Sequence, residues 1–188
     1  MNSENIWIRS MTGVAAGIAA GALLLVGFPV SATADTWDLS QYSYLDIPIQ
    51  ETGIVDVVSD GDTFRFIEEG ATDYVTVRLL GMNTPEIRGF NNIHRDKDMC
   101  GGAEATEVLA SVLRPGTKVQ LRSLDKPSQG RGRIQRYAFA WNSQTNQYDI
   151  DLQAVVAQSG LAMWFTVQKE AAQSYKYRVM IAQTQLKK

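Results

Sequence analysis

The chain has one cysteine and one histidine in 188 residues, and each shortage removes a class of chemistry. With Cys100 alone, neither an intrachain disulfide nor a Cys-x-x-Cys zinc site can form. With His94 alone, two-imidazole acid–base catalysis and a His-rich metal site are excluded. An excess of one sign of charge is lacking too: twenty acidic against eighteen basic residues leave a formal net charge of −2, and that sum by itself argues for no polyanionic partner. No internal repeat or low-complexity tract follows the first 34 residues. What is present, 45% hydrophobic and 20% charged residues, suffices for a buried core and excludes a disordered tail or a collagenous chain. The length suits one domain with appendages.

Between Arg9 and Asp35 there is no charge at all, and the stretch holds the apolar run Gly21–Phe28, the Pro29 break and Ser31-Ala32-Thr33-Ala34. This is the profile of a secretory signal peptide over residues 1–34, with Ala32 and Ala34 as the small residues of a cleavage site. Met11–Val30 is also about long enough to span a bilayer, so an uncleaved anchor with membrane attachment is the alternative. No cysteine follows the run, which excludes lipidation there. Export places the rest of the chain outside the cytoplasm, secreted or at the cell surface. There Cys100 is expected as a buried thiol and His94 as a loop surface residue.

Residues 35–51 have weak periodicity and read as a strap or linker, and residues 52–188 as the folded domain. Strand signals begin at Ile54 with GIVDVVS, TFRFI and DYVTVRLLG, the last two joined by the turn-rich EEGATD. In the third, Val75, Val77 and Leu79 alternate with Thr76, Arg78 and Leu80, so Arg78 faces away from the valines. Ala105, Val108, Leu109 and Val112 recur at helical spacing after Gly101-Gly102. KVQLRSL and RYAFAW make strands four and five. Asp149 or Asp151 caps a helix with Leu152, Val155 and Val156 inward and Gly160 at its end. A last helix over Lys169–Lys188 would bury Ala171, Tyr175, Ala182 and Leu186. Five short strands with a helix between the third and fourth predict an α+β domain: a five-stranded, OB-type Greek-key β-barrel with three α-helices.

Three blocks carry chemistry: Asp60-Gly61-Asp62-Thr63, then Arg78-Leu79-Leu80-Gly81-Met82-Asn83-Thr84-Pro85-Glu86, then Gly132-Arg133 ahead of RYAF. Hydrolysis of a phosphodiester needs a base for the attacking water and positive charge around the phosphoryl oxygens. Glu86 is the natural base. Arg78 and Arg133 can offer paired, planar N–H donors to phosphate. Asp62 is a hard oxygen donor, and Pro85 holds Thr84 extended so that its carbonyl can be another. Taken singly, Asp60, Asp62 and Asn83 are residue types that commonly cap turns.

In order and spacing the three blocks resemble the staphylococcal nuclease family, from about residue 52 to the C-terminus. The resemblance implies a secreted, calcium-dependent endonuclease, a monomer, that hydrolyses DNA and RNA and leaves 3′-phosphate ends. It implies that Asp62, Asn83 and the Thr84 carbonyl hold Ca²⁺, that Glu86 activates water, and that Arg78 and Arg133 stabilise the transition state. The chain departs from the family at Asn83, where the family has an aspartate; the amide removes one charge, and calcium affinity is expected to fall. Gly130-Arg131 also offers a Gly-Arg pair, but Arg133 has the family's spacing to Tyr137. The family's base-contacting tyrosine corresponds to Thr166, with Trp164 and Phe165 close enough to offer a stacking surface.

Basic residues cluster over 112–137, where Arg114, Lys118, Arg122, Lys126, Arg131, Arg133 and Arg136 face a single Asp125. A basic side on an acidic protein suits a nucleic acid partner. Two alternatives stay open: a catalytically weak OB-fold module that binds nucleic acid, and a cell-surface interaction protein. A binder has no need of Glu86 beside two arginines, and that favours the enzyme.

Overall fold

The computed structural model describes residues 47–87, 98–124, 129–130, 133–165 and 171–186, all within the unit Trp37–Lys188. The expectations for the leader, for residues 35–46, and for His94, Asp125, Lys126, Arg131, Gly132 and Thr166 lie outside them. Among the described residues, no helix is long and apolar enough to cross a membrane.

Alternation builds the wall. In β2 (Thr63–Glu68) and β3 (Tyr74–Leu79), Phe64, Phe66, Val77 and Leu79 are fully buried while Arg65 and Thr76 stay partly open. The first strand, β1 (Ile49–Asp60), is antiparallel to β2 through one half and to β5 (Lys118–Arg122) through the other, and register shifts at three places bend it between them. Beyond β3 come the short β4 (Met82–Asn83) and helix α1 (Gly102–Val112), which precedes β5. A two-residue β6 (Gln129–Gly130) leads into β7 (Arg133–Asn142), which pairs antiparallel with β5 and parallel with β3. Parallel neighbours cannot be joined by a hairpin, and the long excursion through α1 and β5 makes this contact feasible. The ring β1-β2-β3-β7-β5 is thereby closed into a five-stranded barrel accompanied by three helices.

The remaining elements are β8 (Gln147–Asp151), a hairpin partner of β7, then α2 (Leu152–Ser159), β9 (Met163–Trp164), which pairs with β4, and α3 (Ala171–Leu186). Asp151 caps α2 by accepting from the Ala154 amide at 3.0 Å, and Gly160 ends it in the left-handed conformation at φ 73°. The other Asp151 oxygen accepts from Lys176 at 2.7 Å and Tyr177 at 3.0 Å, which ties α3 to the cap.

Four expectations need correction. The first strand starts at Ile49 rather than Ile54, because Ile49–Thr52 pair with β5 although their sequence does not alternate. Helix α3 buries Tyr177, Met180 and Ile181 and exposes Ala182; its side chains at 171, 175 and 186 lie outside the description. Cys100 is exposed, on the turn that leads into α1. The basic stretch does not form one solvated face. Arg136 is fully buried, Arg122 is 8% exposed, and only Arg114 and Lys118 among its described members stand clear of the surface. Arg122 is held by Gln120 Oε1, at 3.0 and 2.6 Å, and by the Ile47 carbonyl at 3.0 Å.

Candidate active site

The DGDT block is the tight turn between β1 and β2, closed by the pairing of Asp60 with Thr63. Asp60 caps it, accepting from the Gly61 amide at 2.7 Å. Asp62 does not cap. Its carboxylate crosses to the segment after β3, so turn chemistry explains one of the two aspartates and not the other. Gly61 lets the turn come close: a Cβ there would lie 2.6 Å from Ala105 Cβ and 2.7 Å from Thr84 Oγ1. Gly102 does the same for α1, since its Cβ would lie 2.7 Å from the Glu86 carbonyl oxygen. That carbonyl also accepts from the Met99 amide at 2.9 Å. The start of α1 and the DGDT turn thus hold the Thr84-Pro85-Glu86 segment between them.

Asp62 is the hub. Its Oδ1 accepts from Thr63 Oγ1 at 2.7 Å and from Arg78 Nη1 at 3.0 Å. Its Oδ2 accepts from the Thr84 amide at 3.1 Å and meets Arg78 Nη2 at 2.9 Å. Arg78 Nη2 also donates to Asn83 Oδ1, and Asn83 Nδ2 donates to the Thr84 carbonyl at 3.2 Å. Asp62, Arg78 and Thr84 are all buried. Burial pushes the Asp62 carboxyl up, and the Arg78 charge, Thr63 and the Thr84 amide pull the other way.

Asp60 is the residue to which sequence reasoning gives a turn-capping role alone. It is 1% exposed, and its carboxyl is pushed up to about 8, first by burial, then by its hydrogen bond with Glu86 and the nearby charges of Asp62 and Glu86, against the pull of the Gly61 amide. Glu86 Oε2 is buried and has no hydrogen-bond partner among the described residues. A buried carboxylate oxygen without a donor is costly, so this one is an acceptor that the described residues leave to a water or a substrate.

Because the folded pKa of Asp60 lies above the 3.8 of the free side chain, the folded state binds its proton more tightly. Stability from this group is present below about pH 4 and is lost as pH rises towards about 8, a change of the order of a few kcal/mol. Asp60→Asn keeps an oxygen for the Gly61 amide and removes the charge. Its melting temperature is expected to gain on the native protein steadily from pH 5 to pH 9. Parallel pH profiles for the two proteins would show that Asp60 is not buried as described.

The second arginine is nearby but not level with the first. Arg78 stands opposite Gln135 in the parallel pairing, and Arg133 stands opposite Thr76, one row along on the same outer face. Sequence spacing singled out Arg133; only the register shows that Gln135 is the direct neighbour of Arg78. On the other side, β9 sets Met163 across from Asn83, with Phe165 exposed beyond it, while the Arg178 guanidinium lies over the Trp164 ring at 4.8 Å.

The three residues expected to hold calcium are together, and both oxygens of the one carboxylate among them are filled, while Asn83 Oδ1 and the Thr84 carbonyl each take a single donor. Each Asp62 oxygen takes Arg78 and one further donor, Asn83 Oδ1 takes Arg78, and the Thr84 carbonyl takes Asn83. Calcium needs about six to eight oxygens, with carboxylates supplying most of the charge. Among the described residues no group of three or more His, Cys, Asp or Glu side chains could hold a metal. As arranged, Asp62 is the counter-ion of the Arg78 guanidinium and offers calcium no open carboxylate oxygen, so no step below is routed through the ion.

No family model matches the sequence, and the comparison with curated proteins returned no match.

Proposed function

We propose that the chain is an extracytoplasmic nuclease, an OB-type Greek-key barrel behind a signal peptide, that hydrolyses phosphodiester bonds of DNA and RNA and leaves 3′-phosphate ends. The observation that carries this reading is the Glu86 oxygen, buried and open as an acceptor beside Asp60 and the Asp62–Arg78 pair. A water placed between that oxygen and a phosphorus atom would lose its proton to Glu86 as it attacks. Asp60, holding its proton near neutral pH, donates to Glu86 and fixes the carboxylate's orientation. Arg78 is held by Asp62 and Asn83 in a plane, so its fork is oriented before substrate arrives, and the charge that develops on the phosphoryl oxygens draws on it and on Arg133. The resemblance of the three sequence blocks supports the same assignment.

One observation favours the second reading, a binding module of weak activity: Arg78 already satisfies Asp62 and Asn83, and phosphate has to compete with them. Digestion of single-stranded DNA and RNA oligonucleotides, in chelator and with calcium titrated to millimolar, separates the readings. The native protein is expected to cut both, and Arg78→Lys to cut about a hundredfold to a thousandfold more slowly, since a point charge cannot reproduce a two-pronged contact. Binding without cutting would leave only the module. A rate that climbs with calcium would mean that the ion displaces Arg78 from Asp62.

A further inference from the structure

Strand register extends the site in a direction that the sequence blocks do not mark. Pairing of β2 with β3 and of β3 with β7 sets outward side chains in rows: Thr63, Arg78 and Gln135 in one, then Arg65, Thr76 and Arg133 in the next. In the first row Thr63 and Arg78 are buried beside Asp62 and Asn83 while Gln135 is partly open; the second row is partly open to solvent throughout. Arg65 and Arg133 therefore flank Thr76 like two rails, one strand to either side of β3, where neighbouring strands are about 4.8 Å apart. One step further along β3 stands Tyr74, 52% exposed, with the Arg65 guanidinium 4.5 Å over its ring. Asp56 Oδ2 meets Arg65 Nε at 2.8 Å, and the guanidinium has five N–H donors in all.

Two cations of planar geometry beside an exposed aromatic ring are what a single-stranded nucleic acid uses: backbone phosphates on the arginines, a base on the ring. A duplex has no unstacked base to give Tyr74, and an acidic peptide has no use for the ring at that spacing. We propose that a single strand bound at Glu86 continues along the outer face of β3, its phosphates between Arg65 and Arg133 and one base stacked on Tyr74. This rests on the nuclease reading and adds to it a subsite for nucleotides beyond the scissile bond, so long substrates gain affinity that a dinucleotide does not. Asp56 is the competitor that a phosphate displaces from Arg65.

The test is binding of dT2 and dT8 to the full chain carrying Glu86→Gln, read by fluorescence anisotropy over a range of salt. The unmodified track is expected to bind dT8 more tightly than dT2. Tyr74→Ala should lower dT8 affinity about tenfold and Tyr74→Phe should restore it. Arg65→Gln should lower dT8 affinity and reduce the slope of log affinity against log salt by about 0.7, one phosphate contact. Asp56→Asn should raise dT8 affinity. The proposal is overturned if all these variants bind dT8 like their parent, or if Tyr74→Ala and Arg65→Gln weaken dT2 and dT8 by the same factor. If the parent binds neither oligonucleotide, the nuclease reading falls first and the track falls with it. If the parent binds and the native protein cuts while the variants change nothing, only the track is lost.

Discussion

Glu86→Gln is expected to slow phosphodiester cleavage by roughly a hundredfold to ten-thousandfold while oligonucleotide affinity stays within a few-fold of native. The amide has the carboxylate's shape, so the segment gripped by Gly61, Gly102 and the Met99 amide keeps its course. It cannot accept a proton from water. The change also removes one of the two charges that raise the Asp60 carboxyl, so the folded variant should not suffer from the swap. A large loss of rate with binding retained would therefore be a chemical loss rather than a structural one. Single-turnover cleavage and anisotropy on the same protein preparations make the comparison. Equal rates for native and variant would remove Glu86 from the mechanism.

Glu51→Gln is expected to cost about 3 kcal/mol of stability, the lower end of the usual range for leaving a buried charge without its partner. Arg136 is fully buried, and Glu51 takes its Nε at 2.8 Å and its Nη2 at 2.6 Å, while Nη1 donates to the Gln135 carbonyl at 2.9 Å. Glutamine keeps one oxygen but turns an amide N–H towards a guanidinium that can only donate. Because the Glu51 side chain remains 18% open, water softens the loss, which is why the lower figure is chosen. Against a total of about 5–15 kcal/mol, this is a large fraction. The double change Glu51→Leu with Arg136→Met should recover most of it, since both charges leave together. Urea midpoints of the three proteins decide: a single variant as stable as native would mean that the pair carries no weight.

The consequence for function runs through β7. Arg136 points into the barrel, so Gln135 and Arg133 on the same strand alternate out to the face of Arg78. Arg136 is thus an inward pin on the strand that carries Gln135 and Arg133 outward.

That pin shows where sequence reading stops. Phe64, Phe66, Val77 and Leu79 are legible because period-two alternation is a local property, and the fully buried Leu109 and Leu152 because helical spacing is. Arg136 reads as one more surface cation in a basic stretch, and nothing local says that its partner is Glu51, 85 positions away. The QYDID of β8 does alternate, with Tyr148 and Ile150 packed against the core, but five residues are a weak signal without β7 beside them; the two-residue β4 and β9 are too short to alternate and are strands because each supplies the other's hydrogen bonds. The buried face of α3 is not legible in Ala171–Leu186, where several phases look equally apolar; Tyr177, Met180 and Ile181 are the side chains that packing with α2 buries.

In the candidate site, the residue types were legible and their wiring was not. The DGDT and TPE blocks announce Asp62, Asn83, Thr84 and Glu86, and the structure does bring Asp62, Asn83 and Thr84 together around Arg78. That Arg78 occupies the acceptors expected for calcium depends on distances across 16 and 5 positions, which no motif encodes. Asp60 carried a signal, its place at the head of DGDT, but its contact with Glu86 appears only once the β1–β2 turn folds against the start of α1.

In the proposed reaction, water activated at Glu86 attacks phosphorus. Incubating excess native protein with a 5′-labelled single-stranded DNA in water enriched in ¹⁸O, followed by mass analysis of the new ends, tests it directly. The expected result is cleavage to fragments ending in 3′-phosphate, each new phosphate carrying one ¹⁸O atom, with both cleavage and label formed roughly a hundredfold to ten-thousandfold more slowly in Glu86→Gln. An intact strand after a full excess of native protein, or cut ends without the heavy oxygen, would contradict it.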